Sequence, residues 1–200
     1  MNRVVLATRN MHKIKEIKTI LSDLPIEILT LIDFPQVPSL KEEGSTFPEN
    51  SLQKAQVVYQ HTKIPALADD SGLEVFFLIG RPGVMSARYA GNNATDEANN
   101  EKLLGEMRGV APRRRKAQFR AVLTLVGNGF LEVTEGICPG RLAESPRGTN
   151  GFGYDPIFIP DGFARTYAEL TAEEKNIISH RARALAKMKE VLRSADKTKD

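Results

Sequence analysis

The sequence predicts an α/β fold, because short apolar runs alternate with segments whose apolar residues recur at helical spacing. Residues 4–7 form a short apolar run with β-branched side chains, which we interpret as a strand buried on both faces. From Met11 onwards, Ile14 and Ile17 recur on one face of a predicted helix. A second apolar run, residues 66–75, contains two adjacent aspartates, and the functional prediction depends on it.

The other elements follow from turn and capping signals. Further strands are predicted at residues 26–31, 117–126 and 130–137, the last two joined by an Asn-Gly hairpin turn. Further helices are predicted to begin near Phe47, Thr95 and Thr171. Two of these starts carry the capping-box pattern, in which a threonine and a glutamate three residues later cap each other's backbone N–H groups. We interpret the helix from Thr171 as continuous to the polar end of the chain.

The composition is that of an ordinary globular protein, with 200 residues, 41% hydrophobic and 26% charged. The net charge of +3 suits an anionic small molecule or nucleic acid and requires neither. The single cysteine, Cys138, excludes an intrachain disulfide and a four-cysteine zinc site, and is compatible with a reducing compartment. No run approaches the ~20 apolar residues of a membrane-spanning helix, and we see no signal peptide. We expect a cytoplasmic protein with one domain over residues 1–200, frayed over residues 194–200.

Basic residues surround the start of the first predicted helix. Arg9, His12 and Lys13 lie where the helix dipole favours acidic side chains. The cluster makes sense if an anion binds there, because backbone N–H groups, the Thr8 hydroxyl, the Asn10 amide and the Lys13 ammonium could together hold phosphates. The glycine-rich loop of a Walker A motif is absent. The alternative is a surface cluster without a ligand.

The two adjacent carboxylates, Asp69 and Asp70, follow the apolar residues 66–68 and precede a Ser-Gly step that predicts a turn. We therefore expect a strand end that delivers both carboxylates to a sheet edge, where ligands of open α/β sheets bind. Adjacent carboxylates repel each other, and Mg²⁺, which prefers carboxylates, waters and phosphates, would remove that cost. Glu42 and Glu43 lie in a loop that could approach them. The alternative for all four is solvation.

A glycine-aromatic loop lies in residues 147–158, RGTNGFGYDPIF. Gly151 and Gly153 allow close approach to a ligand, and Phe152 and Tyr154 could stack on a flat ring. Asp155 adds a carboxylate. A core-packed loop without a ligand is the alternative.

The last helix carries an arginine on its apolar stripe. Arg181 lies three residues after Ile178 and four before Leu185, beside His180 and after Lys175. A guanidinium at such a position needs a partner or must extend to solvent, and a phosphate or a carboxylate could be that partner. No Ser-His-Asp or Cys-His arrangement is evident, so we expect water to be the attacking group in any hydrolysis.

Six segments in order resemble the Ham1 family of non-standard purine nucleoside triphosphate pyrophosphatases, over about residues 3–193. They are LATRNMHK, EEGSTFPENSLQKA, ADDSGLEV, RPGVMSARYAG, RGTNGFGYDPIF and AELTAEEKNIISHRARAL. The resemblance implies an elongated two-lobed α/β domain, with a central mixed β-sheet flanked by helices and an active cleft between the lobes. It also implies hydrolysis of ITP, dITP or XTP between the α- and β-phosphates, a requirement for Mg²⁺, and a homodimer.

The same resemblance implies roles for individual residues. Asp70 resembles the catalytic base, with Asp69 beside it, and Glu42 and Asp70 resemble the metal ligands. Which of Glu42 and Glu43 faces the metal rests on aligning the Glu-Glu-Gly step. Arg9 departs from the family pattern, which has a small or amide residue there. The implied substrate contacts are Thr8, Arg9, Asn10, Lys13, Lys54, Ser71, Phe152, Gly153, Tyr154, Asp155, Lys175, His180 and Arg181.

Two alternatives compete with this interpretation. One is a nucleotide pyrophosphatase with another base preference. The other is a non-catalytic protein that binds nucleotides or nucleic acid through the basic run of residues 111–116, which is otherwise a solvated loop. The paired aspartates argue against the second, because an uncompensated acidic site repels phosphates. We expect no membrane and no stable nucleic-acid partner.

Overall fold

The computed structural model describes residues 2–197, and their side chains as far as residue 194. Within these residues there are six strands: β1 (Arg3–Leu6), β2 (Glu27–Thr30), β3 (Ala66–Val75), β4 (Lys116–Gly127), β5 (Phe130–Leu142) and β6 (Phe158–Pro160). The α-helices of the same residues are α1 (Met11–Ile20), α2 (Phe47–Thr62), α3 (Asp96–Glu106), α4 (Ala172–Ile178) and α5 (His180–Lys197). No helix in this part of the chain is long and apolar enough to cross a bilayer.

The strands form a mixed sheet in the order β2-β1-β3-β4-β5-β6. Strand β1 is parallel to β2 and to β3, with Leu6 opposite Thr30 and Leu67, whereas β5 and β6 are antiparallel. This mixed sheet, with its helices, confirms the predicted fold class.

The described chain divides into two compact units, each built from separate stretches of sequence. The first unit contains residues 2–70, 121–136 and 181–197. The second contains residues 71–120 and 137–180. The single-domain prediction for residues 1–200 is left as a prediction. The chain is helical through residue 197, past the start of the predicted frayed tail, and residues 198–200 lie outside the described residues.

The first unit has apolar clusters on both faces of β1. Val4 and Leu6 pack in one cluster with Ile17 of α1 and Leu185 of α5. Val5 packs in the other, which also contains Ala55 and Val58 of α2. Because side chains alternate along a strand, β1 is buried on both faces, as its apolar run predicted.

The second unit has a core of its own, centred on aromatic rings. The Phe119 ring lies 4.8 Å from that of Phe158 and 5.7 Å from that of Tyr167, between ring centroids. Leu103 and Met107, at and just after the end of α3, complete this core and are fully buried.

The prediction of a turn after Asp70 is wrong. Strand β3 continues through both aspartates, Ser71 and Gly72 to Val75. Strand β1 ends opposite Leu67, but β4, which adjoins β3 on its other side, is twelve residues long. Pairing within the sheet therefore overrides the local turn preference of the Ser-Gly step. The aspartates still lie just beyond the carboxyl end of β1.

The prediction of one continuous final helix is also wrong. Ser179 is extended, with φ −67° and ψ 158°, and separates α4 from α5. The predicted capping box at Thr171 and Glu174 is present at the start of α4. Lys175 belongs to the second unit and Arg181 to the first, whose last stretch begins within α5. Strand β5 also extends five residues beyond its predicted end at Ile137, to Leu142.

The basic run of residues 111–116 is only partly solvated. Arg115 is buried and donates hydrogen bonds to the carbonyl oxygens of Met107, Leu142 and Ala143, at 2.8, 3.1 and 2.7 Å. This side chain therefore holds chain segments of the second unit together and is not exposed for nucleic acid.

Candidate active site

The turn before α1 is organised by its own polar side chains. The Asn10 side chain accepts hydrogen bonds from the backbone N–H groups of His12 and Lys13, at 2.9 and 3.1 Å. The Thr8 hydroxyl accepts from the Asn10 N–H, and Arg9 donates to the Val37 carbonyl. Two of the N–H groups predicted to hold a phosphate are thus capped by Asn10, so Thr8 and Asn10 shape this loop.

Asp69 is the hub of a buried charge cluster in the first unit. Its Oδ1 lies 2.6 Å from the Lys13 ammonium, and its Oδ2 accepts from Arg181 Nε at 2.8 Å. Arg181 also contacts Glu16, at 2.5 Å. Burial opposes ionisation of Asp69, but the charges of Arg181 and Lys13 outweigh it and hold the Asp69 pKa well below its usual range. The predicted partner of the Arg181 guanidinium is therefore a pair of carboxylates, those of Asp69 and Glu16.

Asp70 faces a different set of groups. Its Oδ1 lies 2.8 Å from the Lys54 ammonium, and its Oδ2 accepts from the Asn50 amide at 3.2 Å. Burial raises the Asp70 pKa; the nearby Glu42 carboxylate adds to this, while Lys54 and Lys13 oppose it. The two adjacent aspartates therefore differ, because Asp69 is held ionised and Asp70 is made a better proton acceptor.

Lys54 brings two carboxylates to one point. Its ammonium donates to Glu42 at 2.6 Å, to Asp70 at 2.8 Å and to the Asp69 carbonyl at 2.8 Å. Glu43 instead lies on the surface, 3.5 Å from Lys41. Of the two glutamates, Glu42 is therefore the one that reaches the aspartates.

Two residues of this cluster escaped the sequence analysis. Asn50 is buried, and its side chain links the loop at Gly44 to Asp70. Its Oδ1 accepts a hydrogen bond from the Gly44 N–H at 2.8 Å, and its amide nitrogen donates to Asp70. Its signal was available: Asn50 and Lys54 are polar residues four apart on the face of α2 that also buries Ala55. Glu16 lies three residues after Lys13 on α1, but nothing local distinguishes it from an exposed helix glutamate.

The second unit holds the glycine-aromatic loop. Asp155 Oδ2 accepts from the Phe152 N–H at 2.9 Å and from the Lys175 ammonium at 2.5 Å. Lys175 lies 4.9 Å from the centroid of the half-buried Phe152 ring. A Cβ at Gly151 would fall 1.9 Å from Asp155 Oδ2, so only glycine fits there. The loop thus presents one aromatic face beside a buried ion pair.

The remaining predicted site residues have structural partners in the same unit. The Tyr154 hydroxyl donates to the Ser86 carbonyl at 2.9 Å, and its ring lies in the core, unavailable for stacking on a ligand. The His180 ring stacks on Phe119 at 4.6 Å. Ser71 is half-buried in β3, next to Asp70.

Comparison with known proteins identifies the family of the chain. Residues 4–191 match the model of the Ham1 family. A dITP/XTP pyrophosphatase of Geobacter sulfurreducens is 52% identical over 193 residues, covering 96% of this chain and 97% of the relative. One of Geobacillus kaustophilus is 47% identical over 191 residues, covering 95% and 94%.

Solved structures are similar over almost the whole chain. A HAM1 protein from Coxiella burnetii superposes with a TM-score of 0.89 and 43% identity, covering 97% of this chain and all of that one. The Staphylococcus aureus Ham1 protein gives 0.87 and 38%, with the same coverage. The resemblance of the six sequence segments is thereby confirmed, and the chain belongs to the Ham1 family.

Proposed function

We propose that this protein hydrolyses non-standard purine nucleoside triphosphates, namely dITP, XTP and ITP, to the monophosphate and pyrophosphate. The observation that carries the proposal is the convergence of Glu42 and Asp70 on the Lys54 ammonium, at 2.6 and 2.8 Å. The curated relatives named dITP/XTP pyrophosphatases support the substrate class.

The charge balance of the first-unit cluster fits a divalent cation. It contains four carboxylates and three cations, which leave one excess negative charge; its members are Glu16, Glu42, Asp69, Asp70, Lys13, Lys54 and Arg181. No group of three or more His, Cys, Asp or Glu side chains in the described residues is arranged to hold a metal alone. Mg²⁺ needs only one or two carboxylates when waters and substrate phosphates supply its other ligands. A bound divalent cation would change the net charge of this cluster from negative to positive, which suits the binding of a triphosphate.

Glu42 and Asp70 would hold Mg²⁺, which would neutralise phosphate charge when bound. Asp70 is the proton acceptor in this scheme, because Asp69 is bound to Lys13 and Arg181 and its pKa is held low. The water oxygen bonds to the α-phosphorus as its proton passes to Asp70. The bond from that phosphorus to the α–β bridging oxygen breaks, and pyrophosphate leaves with the electron pair.

Asp69 has a positioning role in this proposal. It is fully buried, its pKa is held low, and it contacts Lys13 and Arg181. Its charge fixes the ammonium of Lys13, whose side chain is 14% exposed, and this ammonium is the group we assign to a substrate phosphate. Lys54, which already makes three hydrogen bonds, contributes its charge to the same end of the substrate.

The glycine-aromatic loop is assigned to the base. Phe152 supplies a half-buried aromatic face, and Lys175, fixed by Asp155, supplies an N–H donor beside it. A 6-oxo group accepts such a hydrogen bond. A 6-amino group is itself a donor and would face the Lys175 ammonium donor to donor, which selects against adenine. A homodimer and a cytoplasmic location, which the family resemblance implies, stay predictions.

The test is pyrophosphate release with Mg²⁺ from dITP and XTP, compared with dATP and dGTP. We expect strong preference for dITP and XTP, with activity lost on adding EDTA. Equal rates on all four nucleotides would support hydrolase activity but reject the preference for non-standard purines. Binding without release would reject the enzyme and favour a nucleotide-binding protein.

A further inference from the structure

We infer that Asp96 and Asn100 of α3 are positioning residues that set the base selectivity of the glycine-aromatic loop by holding the Gly153 peptide groups. The Asp96 carboxylate accepts from the Gly153 N–H at 2.6 Å. The Asn100 amide donates to the Gly153 carbonyl at 2.9 Å. Both polar backbone atoms of one glycine are therefore held by one helix. This inference rests on the proposed function of the loop.

The two contacts come from one face of α3. Asp96 and Asn100 are four residues apart, so their side chains lie one turn apart along the helix. Asp96 is in the first turn, whose position the Thr95 cap fixes by accepting from the Ala98 N–H at 3.2 Å. Asn100 is buried, and it lines a cavity of about 1130 Å³ together with Phe152 and Gly153.

The rest of the loop has contacts of its own, whereas the polar backbone atoms of Gly153 are bound by α3. The N–H groups of Thr149 and Asn150 donate to the Ala168 carbonyl, at 3.1 and 3.0 Å. Asp155 is fixed by Lys175 at the other end. Gly153 itself has φ +63°, and a Cβ on it would meet nothing within 4 Å. Gly153 has no side chain to pack, and its neighbours Phe152 and Tyr154 are held by Asp155 and by the core, so the hydrogen bonds to α3 are what restrain its own peptide groups.

The position of Gly153 matters because it adjoins Phe152, the aromatic face assigned to the base. Discrimination between a 6-oxo and a 6-amino group requires the Phe152 ring and the Lys175 ammonium to hold a fixed relation, since a loop that shifts lets a wrong base find another pose. Loss of one ordinary hydrogen bond corresponds to about a three- to tenfold change in an equilibrium constant. That is the size of effect expected from each contact.

The experiment compares Asp96→Ala, Asn100→Ala and the conservative Asp96→Asn with Glu101→Ala. Glu101 is an exposed acidic residue of the same helix that lines the same cavity. We expect the alanine variants of Asp96 and Asn100 to lower the ratio of kcat/KM for dITP over dATP about three- to tenfold. The loss should appear in KM, with kcat within about twofold. Asp96→Asn keeps an acceptor oxygen and should stay near wild type, as should Glu101→Ala.

A second readout needs no substrate. Hydrogen–deuterium exchange over residues 149–154 should be faster in Asp96→Ala and Asn100→Ala than in Glu101→Ala. Faster exchange with an unchanged selectivity ratio would show that the contacts are only structural, and unchanged exchange would show that they do not hold the loop. Either result overturns the inference while leaving the enzyme intact. A wild-type protein that hydrolyses none of the nucleotides would instead overturn the proposed function, and the inference with it.

Discussion

Replacing Asp69 by asparagine should destabilise the first unit substantially, because it leaves Arg181 and Lys13 without their shared counter-charge. The Asp69 and Arg181 side chains are 0% and 1% exposed. Breaking a buried ion pair by removing one partner costs about 3–5 kcal/mol. Arg181 keeps its contact with Glu16, and Lys13 is 14% exposed and can extend towards solvent, so we expect about 3 kcal/mol, the lower end of that range.

The chain supplies a matched control. Asp23 also contacts one lysine and one arginine, Lys189 at 2.6 Å and Arg193 at 3.1 Å, but its side chain is 49% exposed. Solvent screens such a pair, so Asp23→Asn should leave stability almost unchanged. The two variants remove the same charge from the same kind of contact and differ in burial.

The assay is urea unfolding followed by far-UV circular dichroism, since the sequence has no tryptophan. With a slope of about 1–3 kcal/mol per molar urea, Asp69→Asn should lower the midpoint by about 1 M or more. Equal small shifts of the urea midpoint for Asp69→Asn and Asp23→Asn would refute the claim that burial makes the ion pairs of Asp69 costly to break.

The pH dependence of the same measurement follows from the lowered Asp69 pKa. The stability that this charge contributes is fully present above its unfolded pKa, 3.8, and is lost as pH falls towards the lower folded value. The stability difference between wild type and Asp69→Asn should therefore be constant near neutral pH and shrink below about pH 4.

Three further predictions concern other parts of the molecule. In the metal-free protein the Asp70 carboxyl should titrate above pH 3.8, because burial and the Glu42 carboxylate raise its pKa; NMR titration of the side-chain carboxyl carbons measures this, and an Asp70 carboxyl that titrates below pH 3.8 would reject it. Asn50→Ala should weaken Mn²⁺ binding, measured by electron paramagnetic resonance, because it releases both Asp70 and the loop at Gly44; unchanged affinity would reject that role. Arg115→Met should cost about 3 kcal/mol in urea unfolding by leaving buried carbonyls unpaired, whereas Arg113→Met, on the surface, should change little.

The sequence predicted those features of the fold that local chemistry determines. The helix starts at Phe47 and Thr171 follow from capping boxes that the structure contains, and the β4–β5 turn follows from an Asn-Gly step. Ser71-Gly72 is extended within β3, which β4 adjoins in the sheet, and no local signal reports a neighbouring strand. The sequence also placed Ser179 inside a continuous helix. The helix breaks there because the segments on its two sides pack in different cores, which no local signal reports.

The candidate site was predicted as a set of residue types and not as a set of partners. The stripe position of Arg181 required a partner but could not choose between a phosphate and a carboxylate. Its partner Asp69 lies 112 residues away in sequence, so only the folded chain decides. The same holds for the adjacent aspartates, which look equivalent in sequence. Their pKa values diverge because the charges of Arg181 and Lys13 outweigh burial at Asp69, whereas burial and the Glu42 carboxylate outweigh Lys54 and Lys13 at Asp70.

The most direct test of the account is to separate the products of dITP hydrolysis by anion-exchange chromatography, for wild type and Asp70→Asn with Mg²⁺. The account predicts dIMP and pyrophosphate from wild type and no turnover from Asp70→Asn, which changes charge but not volume and should keep the far-UV spectrum of the wild type. Formation of dIDP and phosphate would place the attack at the wrong phosphorus. Near-wild-type turnover by Asp70→Asn would contradict the assignment of the proton acceptor.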